Sequence, residues 1–379
     1  MMRGSMRIAV RTLGLAAAIG AAEWGLRRGG YEYTRLAQRL LQVKGDIDQT
    51  IAPQADLYRF DAHELWSPRP GALLPWTNGE RINADGYRGP QLDVERKKGV
   101  LRIAHLGGAA TFGVGVRYED TYPALSTRLI SERAMPAECL DAGVEGFTVR
   151  QCLERYRDLV RPYRPHVVVL SVGFAVCYRQ ATEGWTDDQR IRAAHEMERS
   201  PDQLSEDLPK LRVLQFGRWV ADALDGRYWS ERDFEFQQMR LAPASGDLDW
   251  PGARRVPIDD YYHSLSLLLQ ETRQDGAHLV LISIPPGPSV PIPPVNDVYQ
   301  QVVNNFADQE KLILLDGRNA YLEALRDDIP KEDLFQADQY PSECGHLQLA
   351  EALADVIARG IASKSAPHTT SPGGAPDKR

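Results

Sequence analysis

Four runs in this chain are almost wholly apolar and of strand length: "VLRIAHL" from Val100, "HVVVLSV" from His166, "HLVLISI" from His278 and "LILLD" from Leu312. A strand that is apolar on both faces has to be covered on both, which argues for a parallel sheet held between two layers of helices. The intervening segments supply those helices. "YPALSTRLISER" has helical apolar spacing at Leu125, Leu129 and Ile130, residues 149–160 and 258–272 read as further helices, and "LQLAEALADVIARG" puts Leu349, Leu353, Val356 and Ile357 on one stripe. "CLDAGVEG" reads as one more short strand, ending in a turn at Gly143 and Gly146. The predicted class is α/β, and 379 residues suffice for a full core of this kind with an insertion.

The insertion is expected at 180–255, where the alternation stops. This stretch is charged, yet it contains Trp185, Trp219, Trp229 and Trp250, and Val213, Phe216, Val220 and Leu224 have helical spacing. It reads as a helical insertion packed on the main domain, with a lid over a cleft as the sharper alternative. Residues 31–98 read as a loop-rich lead-in, residues 99–361 as the main domain and residues 362–379 as a disordered tail. Arg3, Arg7 and Arg11 precede the apolar stretch "LGLAAAIGAA". Residues 1–30 are therefore expected to be an export signal or a single anchor through residues 8–26, which places the protein in the cell envelope. An amphipathic surface helix on a cytoplasmic protein is the alternative.

A strand that runs into a glycine-rich turn and a helix, as "RIAHLGGAATFGVG" does, commonly carries a catalytic or phosphate-binding group. Phosphate binding fits poorly. Gly108 and Gly113 have P-loop spacing, but Val114 stands where the lysine should be. Gly113 and Gly115 supply two glycines of a dinucleotide fingerprint, and Tyr118 occupies the third place. No cofactor is therefore expected. The net charge of -7 gives no footing for nucleic acid. Cys139, Cys152, Cys177 and Cys344 lack metal or disulfide-framework spacing, and Cys344 with His346 makes only two ligands, so no metal is expected.

Four segments, in order, resemble the blocks of the SGNH (GDSL-type) hydrolases, in particular bacterial, N-terminally anchored members. "RIAHLGGAATFGVGVRYEDTYPALSTRL" is similar to the first block, "DAGVEGFTV" to the second, "PHVVVLSVGFAV" to the third and "FQADQYPSECGHLQLAEAL" to the fifth. The resemblance implies a three-layer α/β/α sandwich with a flavodoxin-like parallel sheet. It also implies where chemistry should sit, and there the sequence departs from the pattern. The nucleophilic serine of the first block is Ala109, and a methyl group cannot attack a carbonyl. The oxyanion-hole asparagine of the third block is Ala175, followed by Val176. The base histidine of the fifth block falls on Pro341, or with one residue of slack on Tyr340. Gly146 and Asp338 match the second-block glycine and the fifth-block aspartate.

Replacement groups are few. Thr111 lies in the same turn and Ser171 on the third-block strand, and their ordinary readings are a helix N-cap and a satisfied hydroxyl. His346 is the spare histidine near Asp338, and its ordinary reading is a residue of the last helix's first turn; His105 reads as a core histidine. A buried Asp338 would need Tyr340 or a backbone amide as its donor. Three functions follow as expectations. The first is a non-hydrolytic protein that retains the fold and binds an acylated or carbohydrate ligand, or serves as a scaffold. The second is an esterase or acyltransferase with relocated catalytic residues. The third is an envelope interaction module that docks a protein partner through 180–255.

Overall fold

In the computed structural model the described residues are 14, 17–29, 57–61, 63–173, 176–179, 181, 186–199, 211–224, 246–288, 290, 292–336 and 339–365. An antiparallel hairpin, β1 (Tyr58–Asp61) and β2 (Leu65–Pro68), precedes the sheet. The sheet itself comprises β3 (Leu101–Leu106), β4 (Ala137–Asp141), β5 (Val167–Ser171), β6 (His278–Ser283) and β7 (Ile313–Asp316). These pair in parallel in the order β4-β3-β5-β6-β7. In order of appearance this is 2-1-3-4-5, the flavodoxin-like order expected above. A two-residue pair, β8 (Phe335–Gln336) and β9 (Tyr340–Pro341), stands apart from the sheet.

The helices are α1 (Ala109–Phe112), α2 (Tyr122–Arg133), α3 (Val149–Arg155), α4 (Asp187–Arg199), α5 (Arg212–Leu224), α6 (Ile258–Gln274), α7 (Val295–Glu310), α8 (Gly317–Arg326), α9 (Lys331–Leu334) and α10 (Glu343–Ser365). Strand alternation divides the core in two. Ile103, Val167, Val169, Val280 and Ile282 pack with Tyr122, Leu125, Tyr321, Leu349 and Leu353 of α2, α8 and α10. Ala104, Leu106, Val168, Leu170 and Leu281 pack with Leu153, Tyr261, Leu265, Tyr299 and Phe306 of α3, α6 and α7. The architecture is a three-layer α/β/α sandwich.

The segment read as a loop-rich lead-in shares this core. Leu57, Tyr58, Leu65, Trp66, Leu74, Ile82 and Tyr87 are all buried in the α3/α6/α7 half. Buried guanidiniums tie it down: Arg155 bonds Glu64 at 2.8 Å, the Gly86 carbonyl at 2.7 Å and the Ala142 carbonyl at 2.8 Å. The two ends of the expected insertion run alongside each other. Ala181 N–H donates to Ala253 O, Arg255 N–H to Arg179 O and Val256 N–H to Cys177 O, at 2.8, 2.8 and 3.0 Å. Its described parts include α4 and α5. Trp250 is partly buried, while Trp185, Trp229 and the Trp219 side chain lie outside the described residues. Residues 17–28 are helical, and among the described residues no helix is long and apolar enough to cross a membrane. Residues 366–379 of the expected tail also lie outside the description.

Candidate functional site

In a sheet of this order the crevice forms at the carboxyl ends of the first and third strands, where the connections diverge to opposite sides. Here these are β3, which exits through Gly107, and β5, which ends at Ser171. The two exits touch. A Cβ on Gly107 would overlap Thr111 Oγ1 and lie 2.7 Å from Cβ of Ser171. The turn after β4 closes in from the other side, because a Cβ on Gly143 would lie 2.5 Å from the Phe112 backbone nitrogen and 2.8 Å from the Thr111 carbonyl carbon.

The one-turn helix α1 ends at Gly113 in the left-handed conformation, φ +73°. Its last carbonyls would be orphaned without an external donor. Arg88, fully buried, supplies it: Nη1 donates to Phe112 O at 2.6 Å and Gly113 O at 2.7 Å, and Nη2 to Val116 O at 2.6 Å and to Glu80 at 2.8 Å. The fifth-block segment leans on the same turn. A Cβ on Gly115 would overlap the Gln336 amide, whose Nε2 donates to Pro341 O at 2.7 Å and Val114 O at 3.3 Å, and β9 packs against α1.

The sequence-predicted residues can now be placed. Ala109 is the first residue of α1 and half-buried; Ser171 and Tyr340 are half-buried beside it. Gly146 is buried, and its carbonyl accepts from Arg255 Nη1 at 3.1 Å. Ala175 and Asp338 lie outside the described residues. Ala109, Thr111, Ser171 and Tyr340 are therefore brought to one end of the sheet.

His346 and Thr111 are linked there, though through an intermediary. Thr111 is not the N-cap of α1, a place held by Gly108, because the turn begins two residues earlier. Its buried hydroxyl is hydrogen-bonded to the Tyr122 phenol at 2.9 Å. The backbone amide of Tyr122 donates to His346 Nδ1 at 3.2 Å, and the two rings stack with centroids 6.1 Å apart. His346 Nε2 is buried without a partner. Burial, then the nearby charge of Arg88, pushes the His346 imidazole down to about 3. His105 packs edge-on against Tyr122, and burial takes it to about 3 as well. Both are neutral core histidines at ordinary pH, with neither ring bonded to a Ser or Thr hydroxyl.

Sequence reasoning missed a second group at this end of the sheet. Glu145, next to Gly146, has an Oε2 buried without a partner, as do Tyr58 at its hydroxyl and Arg179 at Nε. Burial raises the Glu145 carboxyl to about 7. Tyr340 is raised by burial and then by Glu145, with Arg179 acting in the opposite sense, so each of these two groups sits within electrostatic reach of Tyr340. Glu145 adjoined a glycine already singled out, and that was the available signal; Arg179 gave none. A histidine–carboxylate pair does exist elsewhere: His63 Nδ1 lies 2.5 Å from Asp158 Oδ2 on the surface beyond the β1–β2 turn.

Fold and site together define a three-layer α/β protein with Ala109 and Ser171 at the switch point of its parallel sheet. No family model matches the chain, and no curated protein matches it in sequence. Among solved structures it is similar to the acetylxylan esterase Axe2 of Geobacillus stearothermophilus, with 18% identity over 68% of this chain and 94% of that one, at a TM-score of 0.40. A protein of Desulfitobacterium hafniense DCB-2 assigned to the lipolytic G-D-S-L family matches with 13% identity over 67% and 98%, also at a TM-score of 0.40. The psychrotrophic esterase EstA of Pseudoalteromonas sp. matches with 12% identity over 69% and 98%, again at 0.40.

Proposed function

We propose that this chain is an SGNH/GDSL hydrolase-like protein that retains the fold and crevice but does not hydrolyse esters, and that it binds an acylated or carbohydrate ligand there. One observation carries the reading. At the exit of β3 the residue that the sequence resemblance puts in the nucleophile's place is Ala109, while the imidazole of the fifth block, His346, is turned to the Tyr122 backbone. A nucleophile needs a base within hydrogen-bond reach, and neither Ala109 nor His346 in this setting supplies its half of such a pair. Loss of serine or histidine alone costs a hydrolytic triad about a millionfold, and such losses do not multiply because the groups act as a unit.

The test is turnover of p-nitrophenyl acetate and acetylated xylo-oligosaccharides by the purified full chain. The expected rate is that of buffer. Turnover that disappears in Ser171→Ala or Thr111→Val would overturn the reading, because it would identify a relocated nucleophile.

A further inference from the structure

At this end of the sheet three polar atoms are buried without a hydrogen-bonded partner: Arg179 Nε, Glu145 Oε2 and the Tyr58 hydroxyl. Arg179 makes no side-chain hydrogen bond or ion pair among the described residues, and its Nε is buried with no acceptor. Glu145 likewise has a buried, unpartnered Oε2. The two are not ion-paired with each other, yet both act on Tyr340, and Glu145 acts also on Tyr58, whose buried hydroxyl is unpartnered. Their backbones are fixed. Arg255 bonds Arg179 O through its amide at 2.8 Å and Gly146 O through its guanidinium at 3.1 Å. Trp66 Nε1 donates to Glu145 O at 3.2 Å.

A polar atom buried without a partner costs folding free energy, and a ligand that completes its hydrogen bonds removes that cost. A guanidinium is the side chain that matches a carboxylate in plane and in hydrogen-bond geometry. The unpaired oxygen of Glu145 and the two phenols suit hydroxyl groups, which donate and accept. We infer that Arg179, Glu145, Tyr58 and Tyr340 form a binding site for a carboxylate-bearing sugar, with the ligand's carboxylate on Arg179 and its hydroxyls between Tyr340, Tyr58 and Glu145. This rests on the ligand-binding reading above and narrows its ligand to an acid. Tyr340 then has a binding role at the position where the resemblance would put a base.

The experiment is calorimetric titration of the full chain with trigalacturonate and with its fully methyl-esterified form. The acid binds saturably, and the ester at least tenfold more weakly. Arg179→Gln weakens acid binding at least tenfold, Arg179→Lys recovers part of it, and Tyr340→Phe costs less than Arg179→Gln. Equal affinity for acid and ester, no binding of trigalacturonate, or unchanged binding by a folded Arg179→Gln variant would overturn the inference. Where a variant does not fold, the acid–ester comparison on the natural chain decides. Binding of neutral acetylated xylotriose without preference for the acid sinks this inference and leaves the broader reading intact. Ester turnover sinks the broader reading and leaves the acid–ester comparison readable.

Discussion

The amide of Tyr122 donates to Nδ1 of His346 across 3.2 Å, which leaves the ring's proton on Nε2, buried and unpartnered. The imidazole closest in sequence to the expected base is thus committed to holding the start of α2 against α10. It belongs to the core together with His105, which also packs against Tyr122.

That commitment has a pH signature. Both histidines are pushed down to about 3 in the folded chain, whereas an unfolded histidine titrates near 6.5. Their folded values are depressed, so their contribution is fully present above about 6.5 and is lost as pH falls toward 3, since the unfolded chain takes up protons first. Each adds a slope of up to about 1.4 kcal/mol per pH unit in that window. Urea midpoints measured between pH 7.5 and 4.5 should fall steeply in the natural chain and less steeply in His346→Gln. Parallel slopes in the two would contradict the assignment.

A hydroxyl introduced at residue 109 should confer no ester turnover. Ala109→Ser puts an oxygen at the exit of β3 with no imidazole placed to activate it among the described residues, and a serine without its base keeps only a small remnant of triad activity. Its p-nitrophenyl acetate rate is expected to stay at the buffer value. A clear gain in an otherwise unchanged chain would mean that a base stands nearby after all.

Gly143 is required by packing. Any side chain there meets the Phe112 nitrogen at 2.5 Å, and backbone cannot swing aside as a flexible side chain does. Overpacking of this sort costs about 1–3 kcal/mol. Gly143→Ala should show a correspondingly lower thermal midpoint, whereas Gly99→Ala, which meets no neighbouring atom but strains a φ of +76°, reports the backbone cost alone.

Asp187 and Arg255 form a buried pair at 2.8 Å that also engages Thr148 and Gln151. Removing one partner of such a pair costs about 3–5 kcal/mol, because the other charge stays buried. Asp187→Ala is therefore expected to be severely destabilised, and Asp187→Leu combined with Arg255→Met much less so. Chemical denaturation of the single and double variants checks this. Additive losses would show that the charges are solvated independently.

How much of this was legible beforehand depended on residue type. The strands Leu101–Leu106, Val167–Ser171 and His278–Ser283 declared themselves because doubly buried strands have no polar face to disguise them. The placement of Ala109 and Ser171 at one end of the sheet followed from their positions just after or at the end of two such strands. The burial of Leu57, Trp66 and Tyr87 did not, since irregular backbone imposes no period on its apolar residues. Least legible were Arg88, Arg155 and Arg255. A guanidinium reads as surface in any composition, and only the fold reveals that its donors close carbonyls contributed by distant segments.

The grip of Arg88 on the carbonyls of Phe112, Gly113 and Val116 has a further consequence. The turn that follows Ala109 is anchored from outside, by a guanidinium more than twenty residues upstream, so its form is set by a remote clamp and not by the small side chains it carries.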